Sequence, residues 1–87
     1  MSNQTDSALR QILADVLGLK PAQVAAFAAN TGLFGHLPEL DSMSVAGLLT
    51  EMEDRLGIII DDDEIDGELL ETYGSLLAFT EMKTATN

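Results

Sequence analysis

The run LDSMSVAGLLTEMEDRLG, Leu40 to Gly57, decides how the rest of the sequence is read. Its apolar residues Val45, Leu48, Leu49, Met52 and Leu56 recur at the spacing of one helix face. Asp41 stands where a helix N-cap is expected, and Gly57 where the helix should stop. A helix over about residues 42–56 follows. Ser42 then lies at its head, where the free N–H groups and the dipole favour an attached anion.

On the N-terminal side, Leu9, Ile12, Leu13, Val16 and Leu17 form a second helical stripe. The first helix is expected over about residues 6–17, capped by Asp6 or Ser7 and ended by Gly18. The long connection from Gly18 to Leu40 should contain structure of its own or serve a function. Pro21 can open a short helix running through Val24, Phe27 and Ala28. The Gly- and Pro-punctuated stretch from Asn30 to Pro38 should be irregular, with Leu33, Phe34 and Leu37 pinning it to the core.

On the C-terminal side, Ile58-Ile59-Ile60 is an extended apolar connector. Asp61-Asp62-Asp63-Glu64 is an acidic helix start, predicting a short third helix over about residues 62–70 that buries Ile65, Leu69 and Leu70. Thr72 can cap a last helix through Leu76, Leu77, Phe79 and Met82, frayed after Lys83. The expected fold is all-α, a four-helix bundle of three longer helices and a short third one. It is one domain over residues 1–87, with its folded core at about 6–83.

Composition narrows the functions. Fifteen acidic side chains stand against four basic ones in 87 residues, a net charge of −11. The segment from Glu39 to Glu71 holds most of the carboxylates and a single base, Arg55. Nucleic acid and anionic membrane surfaces are disfavoured, whereas basic protein surfaces are attracted with fast, salt-sensitive association. No apolar run reaches membrane-spanning length, and the opening MSNQTDSALRQ has no basic-then-apolar leader pattern. A cytoplasmic monomer is expected, and Asn3-Gln4-Thr5 reads as an accidental glycosylation match.

Catalytic chemistry finds little to use. There is no cysteine, and the one histidine, His36, lies in the Gly/Pro loop without a nucleophile–base pairing in sequence. No Gly-rich phosphate loop or His/Cys metal spacing is present. Asp62, Glu64, Asp66 and Gly67 fit the first positions of a calcium loop, but the register puts Tyr73 where a bidentate glutamate is required. No specific metal site is expected.

With Leu40-Asp41-Ser42-Met43, the acidic helix after it, Leu56-Gly57-Ile58-Ile59-Ile60 and the acidic turn beyond, the sequence resembles the acyl carrier proteins. That family's motif is Asp-Ser-Leu at the head of its second helix. The resemblance spans roughly residues 7–83 and implies that Ser42 carries 4′-phosphopantetheine, installed by a phosphopantetheinyl transferase. It implies that Asp41 caps the helix and helps the transferase recognise it. Partner enzymes with basic docking surfaces (an acyl-loading ligase, a synthase or an acyltransferase) would meet Met43, Glu51, Glu53, Asp54, Asp61, Asp62, Asp63 and Glu64. Leu49, Met52, Ile60, Ile65 and Leu69 would line an acyl-chain pocket, though each also reads as ordinary core. The missing cysteine follows, since the thiol would arrive with the arm. Two departures stand out: Met43 replaces the usual leucine, and Ser44-Val45-Ala46-Gly47 is uncharged where fatty-acid carriers place carboxylates. The uncharged turns imply a partner set different from that of the fatty-acid carriers. Asp61-Asp62-Asp63-Glu64-Ile65 and Thr72-Tyr73-Gly74-Ser75-Leu76 are similar to segments of specialised stand-alone bacterial carriers, some associated with acyl-ligase, exopolysaccharide or exosortase gene clusters. The alternatives are an aminoacyl or peptidyl carrier and, in another class, a small acidic calcium-responsive or adaptor module.

Overall fold

The computed structural model describes residues 2–85. Its helices are α1 (Ser2–Leu17), α2 (Pro21–Ala25), α3 (Ser42–Leu56) and α4 (Tyr73–Ala85), with one 3-10 turn at Asp62–Glu64 between α3 and α4. The expected helical class holds. α1 packs against each of the other three helices and so forms the spine of the core. Leu9, Ile12, Leu13, Leu48, Met52 and Leu76 are buried almost completely along these contacts.

Helix ends follow local chemistry. Gly18 and Gly57 adopt left-handed backbone at φ 70° and 66°, as helix C-termini favour. Leu19 N–H then bonds back to Ala14 O at 3.0 Å, and Gly57 N–H to Glu53 O at 3.0 Å. Thr72 caps α4 by accepting from Ser75 N–H at 3.1 Å. That helix runs past Lys83 to Ala85.

Three expectations are corrected. α1 starts at Ser2, before residue 6, so Asp6 is no cap. Asp6 instead takes Arg10 as an i, i+4 partner at 3.0 Å and accepts the Tyr73 hydroxyl. α2 stops at Ala25; Phe27 is buried beyond it, where its ring packs 5.7 Å from that of Tyr73. The predicted third helix over 62–70 is only the 3-10 turn, and Ile65 after it is extended. Asp66 takes Leu69 N–H at 2.9 Å with its side chain, which favours a turn over a helix.

The backbone after that turn has another task. Leu33 N–H donates to Glu71 O at 2.9 Å and Phe34 N–H to Leu70 O at 2.8 Å. In return Tyr73 N–H donates to Thr31 O at 2.8 Å and Gly74 N–H to Ala29 O at 2.9 Å, around an antiparallel bridge between Gly32 and Thr72. This short ladder ties the long loop to the start of α4. Leu33 is fully buried in it, but Phe34, expected to pin the loop, stays 42% exposed.

Candidate functional site

The head of α3 is built by one side chain. Asp41 is extended (φ −115°) and its carboxylate accepts Ser44 N–H at 2.9 Å, while its carbonyl accepts Val45 N–H at 2.9 Å. The Ser44 backbone N–H, then the Ser44 side chain, hold the Asp41 carboxyl below the usual carboxylate range. Ser42 is therefore the first residue of α3, exposed, at the positive end of a 15-residue helix.

Two clefts flank it, and Phe34 and Ser42 belong to both. One is formed by the loop, from Phe34 through Pro38, together with Leu40 and Asp41. The other, of about 300 Å³, is lined by Val45, Ile65, Asp66, Gly67 and Leu70. The ladder between Leu33–Phe34 and Leu70–Glu71 holds the two sides of this second cleft together. Phe34, Val45, Gly67 and Leu70 are site residues that sequence reasoning missed. Val45 lies one helical turn from Ser42 on α3, but only the pairing of two distant loops brings Phe34, Gly67 and Leu70 there, and no local pattern encodes that pairing.

The predicted pocket residues separate into two groups. Leu49, Ile60 and Ile65 meet around a further cleft of about 260 Å³, beside Ala46, Thr50, Glu53 and Asp62. Met52 is entirely buried and Leu69 nearly so; neither borders that cleft, and both serve as core. Ile65 borders this cleft and the one at Ser42, so it stands on the ridge between them.

The predicted recognition residues also differ in how free they are. Met43 is 86% exposed, beside Ser42. Asp54, Asp61, Asp62 and Asp63 are exposed. Glu53 folds back to accept Ile60 N–H at 2.8 Å, fixing the connector after α3. Glu51 lies 3.8 Å from Arg55, whose stronger partner is Asp15 of α1 at 2.8 Å. Glu64 accepts from Lys83 at 2.6 Å. The three-isoleucine connector alternates, with Ile58 and Ile60 buried and Ile59 75% exposed.

The calcium-loop pattern is not assembled. Tyr73 is buried with its hydroxyl on Asp6, while Asp66 and Glu64 spend their carboxylates on Leu69 N–H and Lys83. Burial first, then the Asp6 hydrogen bond, push the Tyr73 phenol above its ordinary range. Among the described residues no cluster of three His, Asp or Glu side chains could hold a metal ion, and no helix is long and apolar enough to cross a membrane.

A phosphodiester-linked arm fits the head of α3. The serine hydroxyl is exposed, the first turn supplies N–H groups without intrahelical acceptors, and a cleft opens on either side.

Comparison with known proteins agrees with this geometry. Residues 7–80 match the family described as the phosphopantetheine attachment site. No curated protein sequence matches. Among solved structures, the holo acyl carrier protein of Nitrosomonas europaea, determined by solution NMR, is 41% identical. It superposes with a TM-score of 0.83 over 94% of this chain and 98% of that one. A match of this extent in both sequence and fold shows that the chain belongs to the acyl carrier proteins, whose working group is a covalently bound 4′-phosphopantetheine.

Proposed function

We propose that Ser42 is the attachment residue and that the chain shuttles acyl groups between enzymes of lipid, polyketide or related biosynthesis. The observation that carries this reading is the position of Ser42: exposed, first in α3, capped by Asp41 and opening onto two clefts. Once attached, the arm supplies the thiol on which acyl groups ride as thioesters, a group that the cysteine-free sequence itself lacks. Among the described residues no base is hydrogen-bonded to the Ser42 hydroxyl, and the neighbouring Asp41 carboxylate is engaged by Ser44 N–H. A separate transferase therefore supplies the activation, and the protein acts as its substrate, not as a catalyst.

The fold contributes placement and shelter. Asp41 fixes the first turn of α3 and so the direction in which the Ser42 side chain leaves the helix. Leu49, Ile60 and Ile65 offer apolar surface to a carried chain. The exposed aspartates of the turn at 61–63, with Asp54 and Met43, offer a docking surface to enzymes with basic patches around an apolar spot. Such contacts suit a carrier that must leave after each step. The neutral stretch from Ser44 to Gly47 supports a partner set unlike that of the fatty-acid carriers. The working form in this reading is a cytoplasmic monomer.

The test is a modification assay. Incubation with coenzyme A, magnesium and a broad-specificity phosphopantetheinyl transferase should add the mass of one arm to the wild type and none to Ser42→Ala. No gain with several such transferases would refute the assignment.

A further inference from the structure

We infer that His36 is the residue that meets the phosphodiester linking the arm to Ser42. This inference rests on Ser42 being the attachment residue. His36 lies in the lining of the loop-side cleft that also contains Asp41 and Ser42. Its position is fixed by two features of the loop. Its backbone N–H donates to Leu33 O at 3.0 Å. Its ring lies against the backbone of Gly32, where an added Cβ would fall 2.4 Å from the imidazole carbons.

Charge selects this side of Ser42. A phosphodiester carries one negative charge throughout the neutral pH range. Each cleft offers it one like charge, Asp41 on the loop side and Asp66 on the other, so the carboxylates do not choose between them and the cationic groups must. No lysine or arginine lines either cleft. Arg10 is committed to Asp6, Arg55 to Asp15 and Lys83 to Glu64, while Lys20 sits at the N-cap of α2. His36 is thus the one group in either lining able to carry positive charge, and as neutral imidazole it still offers an N–H donor. The carboxylates around it are Asp41 in the same cleft, Glu39 in the same loop and Asp66 beyond Phe34. Carboxyl groups as a class titrate at about 4, below the range of about pH 5–8 in which an imidazole changes charge.

The phosphorus nucleus of the holo protein reads this directly. The apo chain is converted with coenzyme A and a transferase, and peptide mapping by mass confirms the arm on Ser42. The ³¹P resonance is then followed across about pH 5–8. In the wild type it should move through an inflection, because the diester keeps its single charge there whereas imidazole as a class changes charge in that range. His36→Gln and His36→Lys should lose the inflection. A flat wild-type curve, or an inflection that survives in His36→Gln, overturns the proposal while leaving the attachment intact. Failure to load Ser42 overturns both and is seen in the mass step, before any titration. Should the variants misfold, the wild type still decides, because loading must displace the His36 ring proton resonances at about pH 5.5 and leave them unmoved if the proposal is wrong.

Discussion

Lys83 of α4 holds the Glu64 carboxylate at 2.6 Å, and the same oxygen accepts Asp61 N–H at 3.0 Å. The acidic turn after α3 is therefore clamped from the far end of the bundle. One consequence concerns recognition. In the tetrad from Asp61 to Glu64, the glutamate serves the fold and the three aspartates remain exposed. A second concerns acid stability.

The Lys83 hydrogen bond, followed by that of the Asp61 N–H, holds the Glu64 carboxyl below its ordinary 4.5. A folded-state value below the unfolded one contributes stability that is full above the ordinary glutamate range and fades as pH falls through the folded value. Lys83→Met should therefore lower the melting temperature most near neutrality, with the deficit shrinking below about pH 4.5. Paired thermal melts from neutral to acid pH check this. A deficit that does not depend on pH would mean Lys83 acts through its packing on Phe79, where its ammonium lies 5.6 Å from the ring centroid.

Met52 and Ile65 both had the sequence pattern of pocket residues, but the fold gives them different tasks. Met52→Ala empties a fully buried site and should cost about 2–5 kcal/mol. Ile65 is half-buried on the ridge between two clefts, so Ile65→Ala should cost less, about 1 kcal/mol. The change it should make is functional: faster hydrolysis of a loaded thioester as shelter for the chain is lost. Chemical denaturation of both variants, with hydrolysis of an acyl-loaded form, separates the roles.

Gly47 lies inside α3 with ordinary helical backbone, and an added Cβ would meet only Val16 Cγ1 at 4.0 Å. Gly47→Ala should therefore stabilise by up to about 1 kcal/mol, raising the melting temperature by roughly 4–8 °C. Gly47→Glu should return part of that gain, since it stands four residues before Glu51 and like charges at that spacing repel. A melting curve for each variant decides. Loss of stability in Gly47→Ala would reveal a constraint on the α1–α3 groove that the geometry does not contain.

How far the sequence alone could be read depended on the range of the interaction involved. The stripe on α1, the Asp41 cap, the Gly57 stop and the Thr72 cap are short-range features, and each was legible. Ser42 at the head of α3 followed from the same signals. The segment after Glu64 was misjudged because its helix-like apolar spacing competes with a pairing about forty residues away. Leu70 O and Glu71 O accept from Phe34 and Leu33, and the Asp66 side chain takes Leu69 N–H. Periodicity records which side chains are buried, not which carbonyls are already engaged. For the same reason Leu69 and Leu70 were correctly placed inside while their helix was not.

Gly74 provides the counterpart to Gly47. It also lies in a helix, where alanine is intrinsically favoured by about 1 kcal/mol. Its surroundings reverse the outcome. A Cβ there would fall 2.7 Å from Ala29 O, 3.0 Å from Ala29 Cβ and 3.1 Å from Ala29 Cα. Two of those atoms are backbone, and the oxygen is the acceptor of Gly74's own N–H, so no side-chain rotation relieves the contact. The loop must move away from α4, loosening the ladder that buries Leu33 in the core and seats Phe34 beside Ser42. Gly74→Ala should therefore destabilise by about 1–3 kcal/mol, the usual range for an overpacked contact, and should weaken amide exchange protection at Leu33 and Phe34. The same substitution thus has opposite expected signs in two helices of one protein. If Gly74→Ala were as stable as wild type with those amides still protected, the ladder would tolerate the displacement and could not be what fixes the loop side of the Ser42 clefts.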